Sequence, residues 1–259
     1  MEDNLLRLND LSLTYHTKNG ETKALDKINF EVKEGDFISI VGPSGCGKTT
    51  ILSLIAGILK PSGGEIFVGG EKVEGINKNI GYMFQKDHLF EWRTIWQNVT
   101  LGLEISKTKT PENLAYIESL LKKYGLYNFK NSKPRELSGG MRQRVALIRT
   151  LALKPKILLL DEPFSALDFQ TRLNVCDDVH NIIKQEKQTA ILVSHDISEA
   201  ISMSDKIIVL TERPAKVKTI FDINLKETSP FKRREDSSFP VLFDKIWREL
   251  QVKDEKKEK

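Results

Sequence analysis

The clearest chemical pattern is GPSGCGKTT, Gly42 to Thr50. It fits the spacing G-x-x-x-x-G-K-[ST], in which backbone N–H groups of a glycine-rich loop surround a phosphate and the following helix adds positive potential. Lys48 would bridge the β- and γ-phosphates of a nucleotide, and the Thr49 hydroxyl would ligate Mg²⁺. A simple turn can carry the same letters. The apolar run DFISIVG before the loop and the helical run after it favour the phosphate loop.

A second candidate is the acid pair in ILLLDEP. An apolar strand that ends in Asp161 would deliver a carboxylate to the Mg²⁺ shell. Glu162, the next residue, could orient and deprotonate an attacking water, and a base in this position is typically worth ~10²–10⁴ in rate. Two acids at a strand end can also lack any chemical role. The phosphate loop favours the catalytic interpretation.

The segment ELSGGMRQR, residues 136 to 144, poses a further question because it opens a helical stretch with two glycines. Inside a helix each glycine costs about 1 kcal/mol relative to alanine. The simple explanation is a helix start with Ser138 as the N-cap. Position N3 would then be Met141, which cannot complete a capping box.

The elements that must position these residues follow from hydrophobic periodicity. LRLNDLSLTY and INFEV alternate as half-buried strands, EIFVGGEKV predicts a hairpin, and NIGYMFQ predicts another strand. TPENLAYIESLLKKYGL predicts a helix with Thr110 as cap, Pro111 as first residue and Gly125 just past the end. After KILLLDEP, helix and strand alternate, with a helix over 169 to 187. This alternation predicts an α/β fold with a parallel sheet covered by helices on both faces.

Length, charge, cysteine content and hydropathy argue against a disulfide-rich or a membrane-spanning protein. The 259 residues are long enough for a sizeable core, and a net charge of +4 neither requires nor excludes nucleic acid. Two cysteines give no disulfide framework and favour a reducing compartment. The longest apolar run, ILSLIAGIL, is far below the ~20 residues of a membrane span, so we expect no membrane crossing. The charged end KDEKKEK predicts a frayed tail.

Together, GPSGCGKTT, LSGGMRQ and ILLLDEP resemble the motifs of the ATP-binding cassette (ABC) family of transport ATPases. The resemblance implies a P-loop NTPase (RecA-like) core with a parallel sheet, an N-terminal antiparallel β subdomain and an inserted helical subdomain at about 86–150. It places the ATPase domain at 1–225 and a short C-terminal extension at 226–259.

The resemblance also implies roles for individual residues. Tyr15 would stack on adenine, and His195 and Gln85 would act at the γ-phosphate. Asp168, in SALD, would communicate between subunits. ATP would be bound by Tyr15, Gly42, Pro43, Ser44, Gly45, Cys46, Gly47, Lys48, Thr49, Thr50, Gln85 and His195, and Mg²⁺ by Thr49, Gln85 and Asp161. The partner subunit's ATP would be bound by Ser138, Gly139, Gly140 and Gln143.

Cys46 lies inside the phosphate loop, beside a helix N-terminus and Lys48. A thiol in such a setting has a lowered pKa. We therefore expect Cys46 to react with maleimides, and we expect MgATP to protect it.

Two segments extend the resemblance to one subfamily of the ABC family. KDHLFEWRTIWQNVTLGLE is similar to the region after the Q-loop, the segment that carries Gln85, in nitrate-, sulfonate- and taurine-type importers, although Glu91 stands where proline is common. TERPAKVKTIFDINL is similar to the C-terminal end of the same subfamily. Because aromatic residues and arginine are enriched at interfaces, we expect Trp92 and Trp96 to lie on a surface that receives a permease.

The expected function is ATP hydrolysis in a head-to-tail dimer of cassettes on the cytoplasmic face of a bacterial membrane. The resemblance implies separate permease subunits and an extracytoplasmic solute-binding protein, and no nucleic acid. Two alternatives stay open, an exporter or lipid-extraction ATPase and a regulatory or nucleic-acid-associated ATPase without a permease.

Overall fold

The computed structural model describes residues 4–18, 20–227 and 229–251. It divides into two compact units, Met1–Asn77 with Gln188–Lys259, and Lys78–Lys187. The predicted frayed tail KDEKKEK lies outside the described residues. No helix within the described ranges is both long and apolar enough to cross a bilayer.

The strands are β1 Asn4–Thr17, β2 Gly20–Lys33, β3 Phe37–Val41, β4 Gly63–Val68, β5 Glu71–Lys72, β6 Ile80–Met83, β7 Ile157–Asp161, β8 Thr189–Val193, β9 Lys206–Leu210 and β10 Val217–Asp222. The helices are α1 Lys48–Ile55, α2 Ile95–Val99, α3 Leu101–Ile105, α4 Pro111–Lys123, α5 Gly139–Leu151, α6 Phe169–Gln185, α7 Ile197–Met203, α8 Pro230–Arg233 and α9 Phe239–Gln251.

The first unit contains two sheets. One is antiparallel with strand order β2-β1-β4-β5, as the sequence predicts for the N-terminal region. In the other, β3 runs parallel to both β8 and β9, and β10 is antiparallel to β9. All residues of β3 and β8 are buried, which their continuous apolar sequences predict. The carboxyl ends of β3, β8 and β9 share one edge, where the phosphate loop and His195 follow their strands.

In the second unit, β6 and β7 run parallel, with Met83 opposite Leu160. Helix α5 lies close to β6, because a Cβ on Gly81 would lie only 2.6 Å from the Thr150 methyl group. Glycine is therefore required at this approach. The carboxyl ends of β6 and β7 meet at one edge, so the structure brings the segments that carry Gln85 and Asp161 to the same edge.

The predicted boundaries of α4 are confirmed. The Thr110 side chain accepts a hydrogen bond from the Asn113 amide at 3.3 Å, and Pro111 is the first helical residue. Gly125 follows the helix with a φ of 71°, a left-handed conformation that glycine adopts without steric cost.

The C-terminal helix α9 is not predicted by the polar sequence beyond about Asn224. Phe239 and Ile246 are buried against Ile197 and Ile201 of α7, so the helix adds to the core of the first unit. Arg233 of α8 is buried as well. Its guanidinium donates to the Ser202 and Ser204 carbonyls at 3.3 and 2.9 Å. These carbonyls lie at the C-terminal end of α7, so the arginine caps that helix.

Candidate functional site

The phosphate loop joins β3 to α1 in the first unit. Gly45 and Gly47 have φ values of 72° and 123°, which side chains rarely adopt. A Cβ on Gly47 would also lie 2.9 Å from the Leu25 Cδ2 atom. These glycines therefore permit both the curvature of the loop and its contact with β2. This is the local conformation that the G-x-x-x-x-G-K pattern predicts.

Lys48 is the first residue of α1 and only 7% exposed. Its Nζ donates to the carbonyl oxygens of Gly42 and Pro43 at 2.9 and 3.1 Å. Among the described residues it pairs with no carboxylate. Because a buried cation is costly without a counter-charge, this arrangement fits an anion that binds at the loop.

Tyr15 is tied to the phosphate-loop helix. Its hydroxyl lies 3.1 Å from the Thr50 Oγ1 atom, within hydrogen-bond distance. The tyrosine is 38% exposed, so part of its surface is available to a ligand. The contact places Tyr15 beside the predicted nucleotide site, and adenine stacking stays a prediction.

The prediction of a lowered pKa for Cys46 is wrong. The residue is 2% exposed, and burial raises the pKa of its thiol. The charge of Lys48, backbone hydrogen bonds and, least of all, the charge of Arg213 lower the pKa, but burial outweighs them. This burial is a tertiary effect that the loop sequence does not reveal.

His195 follows β8 and is exposed. The residues on either side of it, Ser194 and Asp196, are fixed by hydrogen bonds. Asp196 caps α7 by accepting from the Ser198 and Glu199 amides at 2.8 and 3.2 Å, and the Ser194 hydroxyl donates to the Glu199 carboxylate at 2.7 Å. The histidine therefore projects from a backbone that is fixed on both sides. Ser194 and Glu199 were not predicted as site residues.

The acid pair lies in the second unit. Asp161 ends β7, is 7% exposed, and accepts a hydrogen bond from the Tyr82 hydroxyl at 3.1 Å. Tyr82 was not predicted, because only the register of β6 with β7 brings it there. Glu162 has a φ of 46°, which costs a non-glycine residue of order 1–3 kcal/mol and is typical of functional sites.

A chain of hydrogen bonds joins Gln85 to the residue after Asp161. The Gln85 amide donates to the Ser165 hydroxyl at 3.2 Å, and that hydroxyl donates to the Glu162 carbonyl at 3.0 Å. The structure thus brings together two residues that the sequence separates by 77 positions. Ser165 begins the segment SALD, in which only Asp168 was predicted to have a role.

Helix α5 begins as predicted, with Ser138 as N-cap. Its hydroxyl accepts from the Met141 amide at 3.3 Å. Close packing also explains why glycine occupies these positions, because a Cβ on Gly140 would lie 2.7 Å from the Val175 Cγ2 atom of α6. A Cβ on Gly139 would meet Leu167 at 3.1 Å. The helix start is therefore closely packed.

A cavity of about 400 Å³ opens beside this helix start. Its lining includes Ser138, Gly139, Gly140, Leu167, Asp168 and Thr171. Asp168 caps α6 by accepting from the Thr171 amide at 3.0 Å. Hydrogen bonding to the Thr171 side chain, followed by this backbone bond, lowers the pKa of Asp168. Gln143, in contrast, is 4% exposed, and its Oε1 accepts no hydrogen bond from the described residues.

Arginines of α5 hold the segment that follows Gln85. Arg149 donates to the Asp87 and His88 carbonyls at 2.6 and 2.7 Å. Arg142 lies 3.2 Å from the Asp87 carboxylate and 3.9 Å from that of Glu91. Glu91, which departs from the subfamily pattern, thus has an ionic partner in α5.

No cluster of three or more metal-binding side chains of His, Cys, Asp or Glu is found among the residues described. The predicted Mg²⁺ site does not require one. Mg²⁺ is usually bound by one or two carboxylates together with water and substrate phosphates. Asp161 has a carboxylate of this kind and Thr49 a hydroxyl, and their binding of Mg²⁺ stays a prediction.

A family model described as "ABC transporter" matches residues 25–165. The "Uncharacterized ABC transporter ATP-binding protein YtlC" of Bacillus subtilis is 48% identical, with 95% of each chain covered. The "Aliphatic sulfonates import ATP-binding protein SsuB" of Bacillus cereus is 36% identical, with 94% of this chain and 95% of the relative covered.

Among solved structures, the dimeric post-hydrolysis state of the ATP-binding cassette MJ0796, bound to ADP and Pi, superposes with a TM-score of 0.71. It is 33% identical, and the match covers 85% of this chain and 99% of that cassette. The likeness confirms the predicted P-loop NTPase fold class.

Proposed function

The chain belongs to the ABC transporter family, as an ATPase whose hydrolysis is coupled to transport, and we propose that it serves a bacterial importer of the nitrate, sulfonate or taurine type. The observation that carries the proposal is the 36% identity to a sulfonate-import ATPase over 94% of the chain. The two sequence segments that are similar to this subfamily support the same assignment.

ATP binds in this proposal to the loop from Gly42 to Thr50, with Tyr15 against the adenine. Lys48 supports the assignment, because its buried ammonium has only carbonyl partners among the described residues. Its charge is therefore available to phosphate oxygens. Thr49 and Asp161, with Gln85, would hold Mg²⁺, which neutralises charge on the β- and γ-phosphates when bound.

Glu162 is the proposed general base for the water that attacks the γ-phosphate. His195 and Gln85 stabilise the charge of the transition state, which is the main catalytic task in phosphoryl transfer. The left-handed backbone at Glu162 and the fixed flanks of His195 support these roles, since both restrict where the side chains can point.

Two copies close head to tail in the proposed active state. Ser138, Gly139 and Gly140 then reach the ATP of the partner subunit, and Asp168 lies at the subunit contact. The cap geometry supports this role, because backbone N–H groups at a helix start bind anions. We propose that Gln143 also contacts this ATP. Because Gln143 is buried, its surroundings must move before its side chain can reach a nucleotide.

The proposed location is the cytoplasmic face of the membrane, where separate permease subunits anchor the cassette. Trp92 supports a docking surface, since it is 72% exposed and its ring lies 4.8 Å from that of Phe90. Aromatic residues are enriched at protein interfaces relative to the rest of the surface. In the assembled importer an extracytoplasmic solute-binding protein delivers the solute. Residues 226–259 form the proposed C-terminal extension of the ATPase domain.

The Glu162→Gln variant tests the ATPase mechanism. It should bind ATP, lose ~10²–10⁴ in hydrolysis rate and accumulate as a dimer in size-exclusion chromatography with ATP. Lys48→Ala serves as the control that should lose nucleotide affinity and remain monomeric. Rapid hydrolysis by Glu162→Gln would remove Glu162 from the role of base.

Co-purification from membranes tests the transport role. The tagged chain should retain a multi-spanning protein, and the reconstituted complex should show ATPase activity stimulated by an aliphatic sulfonate and its binding protein. Activity stimulated by nucleic acid, with no membrane partner, would favour the regulatory alternative. Outward movement of the substrate in vesicles would favour an exporter.

A further inference from the structure

The turn between β9 and β10, residues 211–216, lies at the same sheet edge as the phosphate loop. It is closed on itself, because the Thr211 amide donates to the Lys216 carbonyl at 3.0 Å and the Lys216 amide donates to the Thr211 hydroxyl at 2.9 Å. Its backbone conformation is therefore defined by local hydrogen bonds.

The turn is also anchored to β2. The Ala215 amide donates to the Ala24 carbonyl, and the Asp26 amide donates to the Ala215 carbonyl, both at 2.9 Å. Ala215 is fully buried at this junction. Between these two residues of β2 lies Leu25, the side chain against which Gly47 packs. One short segment of β2 thus fixes both the turn and the phosphate loop.

Arg213 extends from this turn toward the loop. One of its terminal nitrogens lies 3.8 Å from the position that a Cβ on Gly45 would occupy. The arginine is exposed, and its guanidinium has no hydrogen-bond or ionic partner among the described residues. Lys216 of the same turn differs, since its ammonium lies 3.1 Å from the Asp26 carboxylate.

We propose that Arg213 is a further phosphate-binding residue of the nucleotide site, and that its guanidinium contacts the triphosphate held by the loop. This inference depends on the proposed ATP site. A guanidinium stays charged at every physiological pH and presents several donors to phosphate oxygens. Arg213 supplies a second cation in addition to Lys48 and therefore favours nucleotides that carry more phosphates.

The test measures nucleotide binding to the full-length chain by titration calorimetry, with ATP, ADP and AMP. Arg213→Ala should raise the Kd for ATP about tenfold, the loss expected for one charge-assisted hydrogen bond on an exposed side chain. AMP affinity should stay unchanged, and Arg213→Lys should retain most of the ATP affinity. Lys216→Ala is the matched control, because it removes one positive charge from the same turn and should leave ATP binding unchanged.

Three results would overturn the inference. A Kd for ATP within twofold of the unsubstituted chain in Arg213→Ala excludes the contact. An equal loss in Lys216→Ala would show that only the net charge of the turn matters. Normal ATP binding with lost ATP-driven dimerisation would assign Arg213 to the partner cassette instead. If the unsubstituted chain itself fails to bind ATP, the proposed function fails, which is distinguishable from these outcomes.

Discussion

The side-chain amide of Gln85 donates to the hydroxyl of Ser165 across 3.2 Å, and through that hydroxyl it is linked to the Glu162 carbonyl. The two residues follow different strands of the second unit. The link orders the backbone beside the proposed general base without using the Glu162 carboxylate.

Ser165→Ala removes this link. Because a hydrogen bond contributes about 1 kcal/mol, we expect kcat for ATP to fall about fivefold to tenfold. The KM should change little, since the serine does not hold the phosphates. Steady-state ATPase assays measure both values, with Ser165→Thr as the control that keeps a hydroxyl. An unchanged kcat in the alanine variant would contradict the positioning role.

Ser138→Arg tests the second anion-binding helix start. The bulky side chain should leave binding to the phosphate loop within twofold but prevent closure on the partner, with hydrolysis reduced by ~10²–10³. ATP-induced dimerisation in a Glu162→Gln background provides the second measurement. Ser138→Thr keeps the capping hydroxyl and should retain most activity. Full activity of the arginine variant is the contrary result.

Gly140→Ala tests whether close packing against α6 requires glycine at the start of α5. The added methyl group would lie 2.7 Å from Val175 Cγ2, so we expect a loss of about 1–3 kcal/mol in unfolding free energy. Chemical denaturation measures it. Val175→Ala in the same chain should recover part of the stability by making room. If the double variant is no more stable than expected from the two single changes, steric overlap is not the cause.

Cys46 should label slowly with maleimide at neutral pH. A Cys176→Ala background leaves it as the one reactive candidate. Because burial raises the pKa of Cys46, its thiolate fraction and its labelling rate should rise about tenfold per pH unit between pH 7 and 9. Labelling in denaturant gives the unfolded reference. A rate that is already maximal at pH 7 would indicate a lowered pKa.

The raised pKa of Cys46 also makes the stability of the folded protein depend on pH. The folded pKa lies above the unfolded value of 9.0, so the folded state holds its proton more tightly. The stabilisation from the buried thiol is complete below pH 9 and is lost as the pH rises through the folded pKa. Alkaline unfolding of the Cys46→Ala variant should lack this component.

The sequence by itself determined the features that depend on neighbouring residues. The order strand, GPSGCGKTT, helix predicted the phosphate loop, and Thr110 and Ser138 predicted two helix starts. Alternating and continuous apolar runs predicted the antiparallel and parallel strands. These features are local, because caps, turns and strand periodicity are fixed within a few residues.

Only the tertiary structure decided the contacts between distant segments. The burial of Cys46 reversed its predicted pKa shift, and the approach of α6 gave Gly140 a packing role. The link from Gln85 to Ser165 and the approach of Arg213 to Gly45 likewise join segments far apart in sequence. Such contacts follow from the packing of whole elements, and desolvation and steric fit depend on that packing rather than on the residues next in the chain.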